Sequence, residues 1–190
     1  MRAAGLLLLV LSGCATSQPF VFRPTETANL TPDNSAVARY VVPRVLPRGE
    51  LFATSEGVVP ASANGKEGPA LMVRITVFNV AGKGPWAIDI RDQLVTLPGG
   101  IQIHASDVKT TAQGAPILAI TPGERITMDL YFALPENQQT PGEIAGFNFI
   151  WQVSTDRQRA AGMVPFARFD STAPAGSTAT VTTVASATPF

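Results

Sequence analysis

Alternation of apolar and polar side chains, with a period of two, restricts the fold of this chain more than any other feature of its sequence. In "LMVRITVF", which begins at Leu71, every second residue is apolar, and Arg74 and Thr76 lie between them. The same alternation recurs over residues 126–134 and 147–153. Because successive side chains of a strand point to opposite faces of a sheet, each stretch predicts a strand with one buried face.

Turn residues separate these stretches. The segments "AGKGP", "PGG" and "TPGE" supply glycine for positive φ and proline for the first corner of a turn. We therefore predict an all-β fold, an antiparallel sandwich of about 7–9 strands, with closure into a barrel as the alternative. Weaker strand patterns cover residues 38–42, 86–90, 92–97, 101–105, 116–120 and 163–169.

A short apolar run at the start of the chain ends at its only cysteine. Arg2 precedes the run, and the small residues Ser12 and Gly13 follow it directly before Cys14. The run is too short to cross a bilayer, which needs roughly 20 apolar residues. Together these features predict a secretory signal over residues 1–13.

The sequence Leu11-Ser12-Gly13-Cys14 resembles the lipobox of bacterial lipoproteins. The resemblance implies cleavage before Cys14, a diacylglycerol thioether on its sulfur and further acylation, with chains such as palmitate, at the new N-terminus. Each buried CH₂ of an acyl chain contributes about 0.8 kcal/mol, and stable anchoring generally takes two lipid signals. Because Cys14 would carry several acyl chains, it would hold the protein on a membrane without a spanning helix. Ala15, where lipoproteins retained in the inner membrane often carry Asp, favours the outer membrane by the same resemblance.

Composition divides the remaining chain into three parts. Residues 14–36 mix proline with Thr, Ser and Asn, which predicts a lipidated flexible tether. Residues 37–170 hold the strand patterns and form the predicted sandwich. Residues 171–190 are almost wholly small and hydroxylic, which predicts a flexible tail, although 178–184 is β-prone and could add an edge strand.

A second resemblance covers about residues 70–153. It rests on the stretch "VRITVFNVAGKGPWAIDIRDQLVTLPGGIQI" followed by "ITPGERITMDLYFALPE", in which a Pro-Gly-Glu turn leads into a long apolar strand. These segments resemble the immunoglobulin-like domain of many bacterial envelope lipoproteins. The resemblance implies an immunoglobulin-like β-sandwich that acts as a binding or structural module, and it carries no catalytic residues over to this chain.

Histidine and cysteine content limits the chemistry of the mature chain. His104 is the only histidine, and alternation over 101–105 places it on the face opposite the isoleucines, toward solvent. Once Cys14 is lipidated no thiol remains, so a zinc site has no ligand set. Two weaker alternatives stay open, a hydrolase relay through Ser106 or Asp107 and a copper site that joins His104 to methionines. The candidate methionines are Met72, Met128 and Met163.

The charged residues predict neither a nucleic-acid-binding surface nor a catalytic carboxylate. Fourteen basic and fourteen acidic residues cancel, and the arginines at 39, 44 and 48 are interleaved with prolines in what we expect to be a solvated turn. Gly82-Lys83-Gly84 lacks a phosphate-binding frame and predicts a hairpin tip. We expect no enzymatic activity, no cofactor and no metal. The candidate carboxylates, Asp89, Asp92 and Asp129, are expected to be solvated.

Three aromatic residues remain as candidates for partner binding. Tyr40 lies beside the segment of prolines and arginines, Trp86 begins a strand after Gly-Pro, and Tyr131 points away from the apolar face of its strand. Exposed aromatics are good interface anchors, and packing beneath a loop at the sheet edge is the alternative for each. The sequence thus predicts a lipid-anchored, non-enzymatic module that binds an envelope protein or supports the envelope. The alternative is a periplasmic carrier of a small ligand or metal.

Overall fold

The described part of the chain is built almost entirely of β-strands. The computed structural model describes residues 20–26, 28–30, 36–63, 66–112 and 115–170, so the signal segment, Cys14 and the predicted tail over 171–190 lie outside the described residues. Within those ranges, no helix has the length and apolar character that crossing a membrane would require.

Thirteen strands make up the described residues, numbered here in chain order. They are β1 (Phe20–Pro24), β2 (Ala28–Leu30), β3 (Ala36–Val42), β4 (Gly49–Ala63), β5 (Lys66–Phe78), β6 (Trp86–Asp89), β7 (Leu94–Thr96), β8 (Gln102–His104), β9 (Asp107–Thr110), β10 (Ile117–Ile120), β11 (Arg125–Ala133), β12 (Gly146–Ser154) and β13 (Arg159–Asp170).

The strands form two antiparallel sheets. A six-stranded sheet has the order β2-β3-β4-β5-β11-β9. A seven-stranded sheet has the order β1-β13-β12-β6-β10, with β7 pairing with β12 and β8 pairing with β7. Apolar side chains from both sheets form one core, which confirms the predicted all-β antiparallel sandwich.

The core follows the alternation read from the sequence. Leu71, Val73, Ile75 and Val77 are all fully buried, whereas Arg74 between them is exposed. The strands β11 and β12 show the same regular pattern of buried and accessible positions. The period of two therefore identifies the face of each strand that packs into the core.

Aromatic contacts join the two sheets across this core. The rings of Phe132 in β11 and Phe149 in β12 lie edge to face with centroids 6.0 Å apart. Tyr40 in β3 lies 5.6 Å from Trp151 in β12. Such pairs stabilise the packing beyond the apolar area that they bury, by about 0.5–1.5 kcal/mol each.

Every strand that the sequence predicts is present, and β1, β2, β4 and β9 are additional. The most prominent omission is β4, which is 15 residues long. Its sequence contains Gly, Ser, Glu and Pro, and its pairing with β5 shifts register between Ser55 and Gly57. This bulge interrupts the alternation, so the strand has no regular pattern in the sequence.

The predicted tether over 14–36 is wrong for the residues that form β1. Phe20 and Phe22 are only 4% and 3% exposed and belong to the core. Each pairs across to β13, Phe20 opposite Asp170 and Phe22 opposite Arg168. Two phenylalanines at alternate positions form a pattern too short to be recognised among the surrounding polar residues and prolines. The folded domain nevertheless begins at Phe20.

The sandwich has two distinct ends. At one, the terminal end, Phe20 pairs with Asp170. At the other, Arg159 pairs with Ser154, and Ser154 pairs with Ala87 of β6. The strand β13 runs the whole distance between the two ends, from Arg159 to Asp170. Its 11 steps of roughly 3.3 Å place the ends about 36 Å apart.

Four strand connections meet at this second end, which we call the loop end. Backbone hydrogen bonds tie them together, from Ala81 N to Arg48 O at 2.7 Å and from Gly123 N to Asn79 O at 2.6 Å. Lys83 N donates to the carboxylate of Asp156 at 3.1 Å. The loop end comprises residues 43–48, 79–85, 121–124 and 155–158.

Candidate functional site

Trp86 is not available as the predicted interface residue, because its side chain is fully buried. Its ring packs so tightly against the backbone of Gly49 that a Cβ atom added there would lie 2.6 Å from Trp86 Cη2. Trp86 shares the inner face of β6 with Ile88. The predicted exposure was wrong because strand parity, not the preceding glycine and proline, determines where this side chain points.

Tyr40 is likewise a core residue, with 9% of its surface exposed. Its hydroxyl donates a hydrogen bond of 2.8 Å to the carbonyl oxygen of Met163 in β13. Since β3 and β13 belong to different sheets, this bond and the contact with Trp151 hold the sheets together. The prediction that Tyr40 is an exposed anchor was therefore wrong.

Tyr131 lies on the outer face of the six-stranded sheet, opposite to the buried Phe132, as the alternation predicts. It lines an open groove of about 440 Å³ together with residues 60–62 and 107–110. Partial burial raises the pKa of its phenol, and the nearby carboxylates of Asp129 and Asp107 act in the same direction. The hydroxyl therefore stays protonated at neutral pH and is suited to hydrogen bonding. The structure does not bring the three predicted aromatic residues to one surface.

His104 is exposed on β8, as predicted. Its Nδ1 lies 2.8 Å from the carbonyl oxygen of Arg91. The two groups proposed for a relay have other partners, since the Ser106 hydroxyl donates to Tyr131 O at 3.0 Å and the Asp107 carboxylate accepts from Val108 N at 2.8 Å. Within the ranges that the structure covers, no group of three or more His, Cys, Asp or Glu side chains is arranged to hold a metal ion.

The three candidate carboxylates are each paired with an arginine. The guanidinium of Arg91 donates two hydrogen bonds to the Asp89 carboxylate, at 2.9 and 2.6 Å. This contact is the main reason that the pKa of Asp89 is lowered. Asp129 is bonded by Arg74 at 2.7 Å, and Asp92 pairs with Arg159. These acids serve as partners in surface ion pairs rather than as free, solvated groups.

The connection from Asn79 to Pro85 passes from one sheet to the other, so the predicted hairpin tip at Gly82-Lys83-Gly84 was wrong. Asn79 is fully buried and organises this connection. Its Nδ2 donates to Gly84 O at 3.1 Å and Ile120 O at 3.0 Å, and its Oδ1 accepts from Gly82 N at 2.9 Å. An asparagine just past a strand is the sequence signal for such a turn.

The loop end carries the most exposed large apolar side chains of the residues that the structure describes. Val45 and Leu46 are 75% and 67% exposed, and Val80 in the adjoining connection is 48% exposed. We call these three residues the apolar tip. Leu46 has φ of 56°, in the left-handed region, which costs an L-residue roughly 1–2 kcal/mol. Strain at an exposed, bulky residue is typical of functional loops.

Basic residues surround the apolar tip. The four connections contain Arg44, Arg48, Lys83 and Arg157 but only two acidic residues, Glu124 and Asp156. Glu124 accepts from both the backbone N–H and the hydroxyl of Thr121 at 2.8 Å. Asp156 accepts from Lys83 N. Both acids are thus engaged within the loops, and the surface has a net positive charge.

Comparison with known proteins gives little beyond this geometry. No protein-family model and no curated protein matches the chain. One similar solved structure, Northeast Structural Genomics Consortium target SoR45, is 11% identical with a TM-score of 0.38, over 67% of this chain and 89% of its own. Another, the yjhA protein from Bacillus subtilis, is 11% identical with a TM-score of 0.36, over 56% of this chain and 75% of its own. Likenesses this weak support no conclusion about function.

Proposed function

We propose that this protein is an envelope lipoprotein, anchored through acyl chains on Cys14, that displays its sandwich as a non-enzymatic binding module. The lipobox resemblance supports the anchor, and Ala15 favours the outer membrane. The resemblance of residues 70–153 to immunoglobulin-like envelope domains supports the binding role.

The observation that carries the proposal is the short distance along the chain from Cys14 to β1. Five residues lie between Cys14 and Phe20, and the six steps from one to the other span at most about 21 Å when the chain is fully extended. The terminal end of the sandwich would therefore remain close to the bilayer that holds the lipid. The loop end, about 36 Å farther along the strands, would be free to face away from that bilayer.

Two features favour binding over catalysis. The only histidine bonds to a backbone carbonyl on the surface and is not aligned with Ser106 or Asp107. The loop end, by contrast, presents exposed apolar and basic side chains on a scaffold held by backbone hydrogen bonds. A rigid scaffold that exposes such loops is a common arrangement in binding domains.

Replacement of Cys14 by Ser tests the anchor. We expect the parent protein to incorporate labelled palmitate and to sediment with membranes in the absence of detergent, and the variant to do neither. Ser17→Ala, which keeps the cysteine, is the matched control and should behave as the parent. Equal processing and equal sedimentation of the Cys14→Ser protein would refute the proposal.

Ala15→Asp tests the outer-membrane assignment separately. After separation of the two membranes by density, we expect this variant to shift toward the inner-membrane fraction while it still incorporates palmitate. An unchanged distribution would contradict the reading of Ala15 but would leave the lipid anchor intact.

The groove beside Tyr131 favours one second candidate, a carrier of a small ligand. Native mass spectrometry of the gently purified protein would then show a stoichiometric guest, and Tyr131→Ala would release it. A parent protein of bare polypeptide mass, plus its lipid, would exclude this candidate.

A further inference from the structure

We propose that the loop end docks onto a protein whose surface offers an apolar pocket bordered by carboxylates. The apolar tip of Val45, Leu46 and Val80 would enter the pocket, and the surrounding cations would meet its acidic rim. The orientation of this surface rests on the proposed function, since the lipid at Cys14 is what places the loop end away from the membrane.

The tip is held in a defined shape before any partner arrives. Pro43 and Pro47 fix two backbone angles of the connection. Arg48 N donates to Val42 O at 3.0 Å, and the Arg48 guanidinium donates to Ala81 O at 3.0 Å. These bonds hold the connection that carries Val45 and Leu46 against the connection that carries Val80. A preformed surface loses less conformational freedom on binding, which favours affinity.

The tip is convex and apolar, which specifies the shape of its partner. Val45 and Leu46 project at the turn of the loop, with three-quarters and two-thirds of their surfaces exposed. The left-handed backbone at Leu46 is an unfavourable conformation for this residue and persists where the surrounding loop imposes it. A protruding pair of aliphatic side chains is buried only by a concave apolar surface.

Charge specifies the rim of the pocket. Arg44, Lys83 and Arg157 are exposed and, among the residues that the structure covers, form no side-chain hydrogen bond or ion pair. Arg48 is bonded only to a backbone carbonyl, so its charge is uncompensated as well. Glu124 and Asp156 offset two of these four cations, and the loop end keeps an excess of two positive charges. Such a surface is complementary to carboxylates arranged around a pocket, and this complementarity increases both specificity and the association rate.

Geometry separates this surface from the anchoring bilayer. The tip lies about 36 Å from Phe20 along the strands, whereas the chain from Cys14 to Phe20 reaches at most about 21 Å. With its long axis upright, the domain cannot place the tip in the leaflet that holds Cys14. For that orientation we take a protein in the space beyond the domain as the partner, and contact of the tip with lipid is an outcome of the test below.

Site-specific photocrosslinking in intact native cells tests the proposal with the full lipidated chain. A photoreactive residue at position 45 should crosslink to one discrete protein. The matched control is position 21, an exposed valine on the outer face of β1 at the terminal end, which should not crosslink to that protein. Mass spectrometry should map the position-45 crosslink to apolar residues of the partner that are flanked by Asp or Glu.

Charge reversal gives the second readout. With the probe at position 45, Arg44→Glu combined with Lys83→Glu should reduce crosslinking by about tenfold or more, because like charges now face each other. The conservative pair Arg44→Lys and Lys83→Arg should retain it. Unchanged thermal unfolding of both double variants establishes that the domain is folded.

Four outcomes would overturn the proposal, namely crosslinks to lipid alone, the same species at position 21, no crosslinked protein, or crosslinking insensitive to charge reversal. Fractionation of the same cells reports on the anchor independently. A soluble protein that still crosslinks at position 45 would refute the lipid anchor alone, whereas a membrane-bound protein that fails to crosslink would refute the docking surface alone.

Discussion

The side-chain amide of Gln93 acts as a substitute peptide group for Gln152. Gln93 Nε2 donates to Gln152 O at 3.0 Å, and Gln93 Oε1 accepts from Gln152 N at 3.1 Å. This pair of bonds fills the gap between β6 and β7, where β12 has no strand beside it. The fully buried Gln93 thus continues the ladder of the seven-stranded sheet.

Gln93→Leu should lower the free energy of unfolding by about 2–4 kcal/mol, since each buried donor or acceptor left unpaired costs about 1–3 kcal/mol. Urea unfolding with an unchanged m value measures the loss. Gln152→Thr is the matched control, because it alters the outer side chain but keeps the backbone groups that Gln93 binds, and it should cost less than about 1 kcal/mol. Equal losses in the two variants would contradict the role of Gln93.

Gly82→Ala should destabilise the protein by about 1–3 kcal/mol, as overpacking of a filled site does. A Cβ atom at position 82 would overlap Asn79 Oδ1 and lie 2.9 Å from Trp86 Nε1. Gly84→Ala is the control, since its nearest neighbour, Asp156 Cβ, would be 3.5 Å away in ordinary contact. Thermal unfolding followed by tryptophan fluorescence compares the two. Equal midpoints would contradict the prediction, because they would show that the connection around Asn79 accommodates the added methyl group without loss of stability.

Tyr40→Phe should reduce stability by about 1 kcal/mol, the usual net value of one hydrogen bond, because it removes the bond to Met163 O. Tyr131→Phe is the comparison, and its hydroxyl makes no hydrogen bond among the residues that the structure describes. We expect that variant to stay within about 0.5 kcal/mol of the parent. Chemical denaturation of both proteins distinguishes a core tyrosine from a surface one, and a reversed order would refute the assignment.

Glu124 should make stability depend on pH through the acidic range. The backbone N–H of Thr121, and then its hydroxyl, lower the pKa of Glu124 in the folded state. Its contribution is therefore complete above the unfolded pKa of about 4.3 and is lost as the pH falls through the lower, folded value. The difference in urea midpoint between parent and Glu124→Gln should be largest at neutral pH and shrink toward pH ~3. A difference that is constant with pH would contradict this.

Strand positions were predictable wherever alternation was long and uninterrupted. The strand β11 shows this best, because its large aliphatic and phenylalanine side chains all lie inward. They are Ile126, Met128, Leu130 and Phe132. The strand β4 was not predictable, since its bulge at Gly57 breaks the period and its composition resembles a loop. The prediction of the fold class depends on the strands with regular alternation. It was therefore correct although four strands were missed.

The candidate site was less predictable, for two physical reasons. Parity alone would have placed Tyr40 beside Ala38 and Val42 on the inner face, but an aromatic residue close to a connection rich in proline and arginine is equally typical of an interface anchor. The apolar tip depends on the connection that contains Val80 meeting the one that contains Val45, through the bonds between Arg48 and Ala81, and these connections join different strand pairs. Contacts between distant loops follow from sheet packing and have no local signature in the sequence.

The pairing of Phe20 with Asp170 places both ends of the described domain on one rung of the ladder. A fluorescent reporter fused directly after β13 would consequently lie next to the proposed lipid anchor, whereas one inserted between Val45 and Leu46 would lie at the opposite end of the domain. A circular permutation that joins the two ends and opens the chain between Val45 and Leu46 would place the new N-terminus at the loop end. A lipid attached there would turn the terminal end of the sandwich away from the membrane.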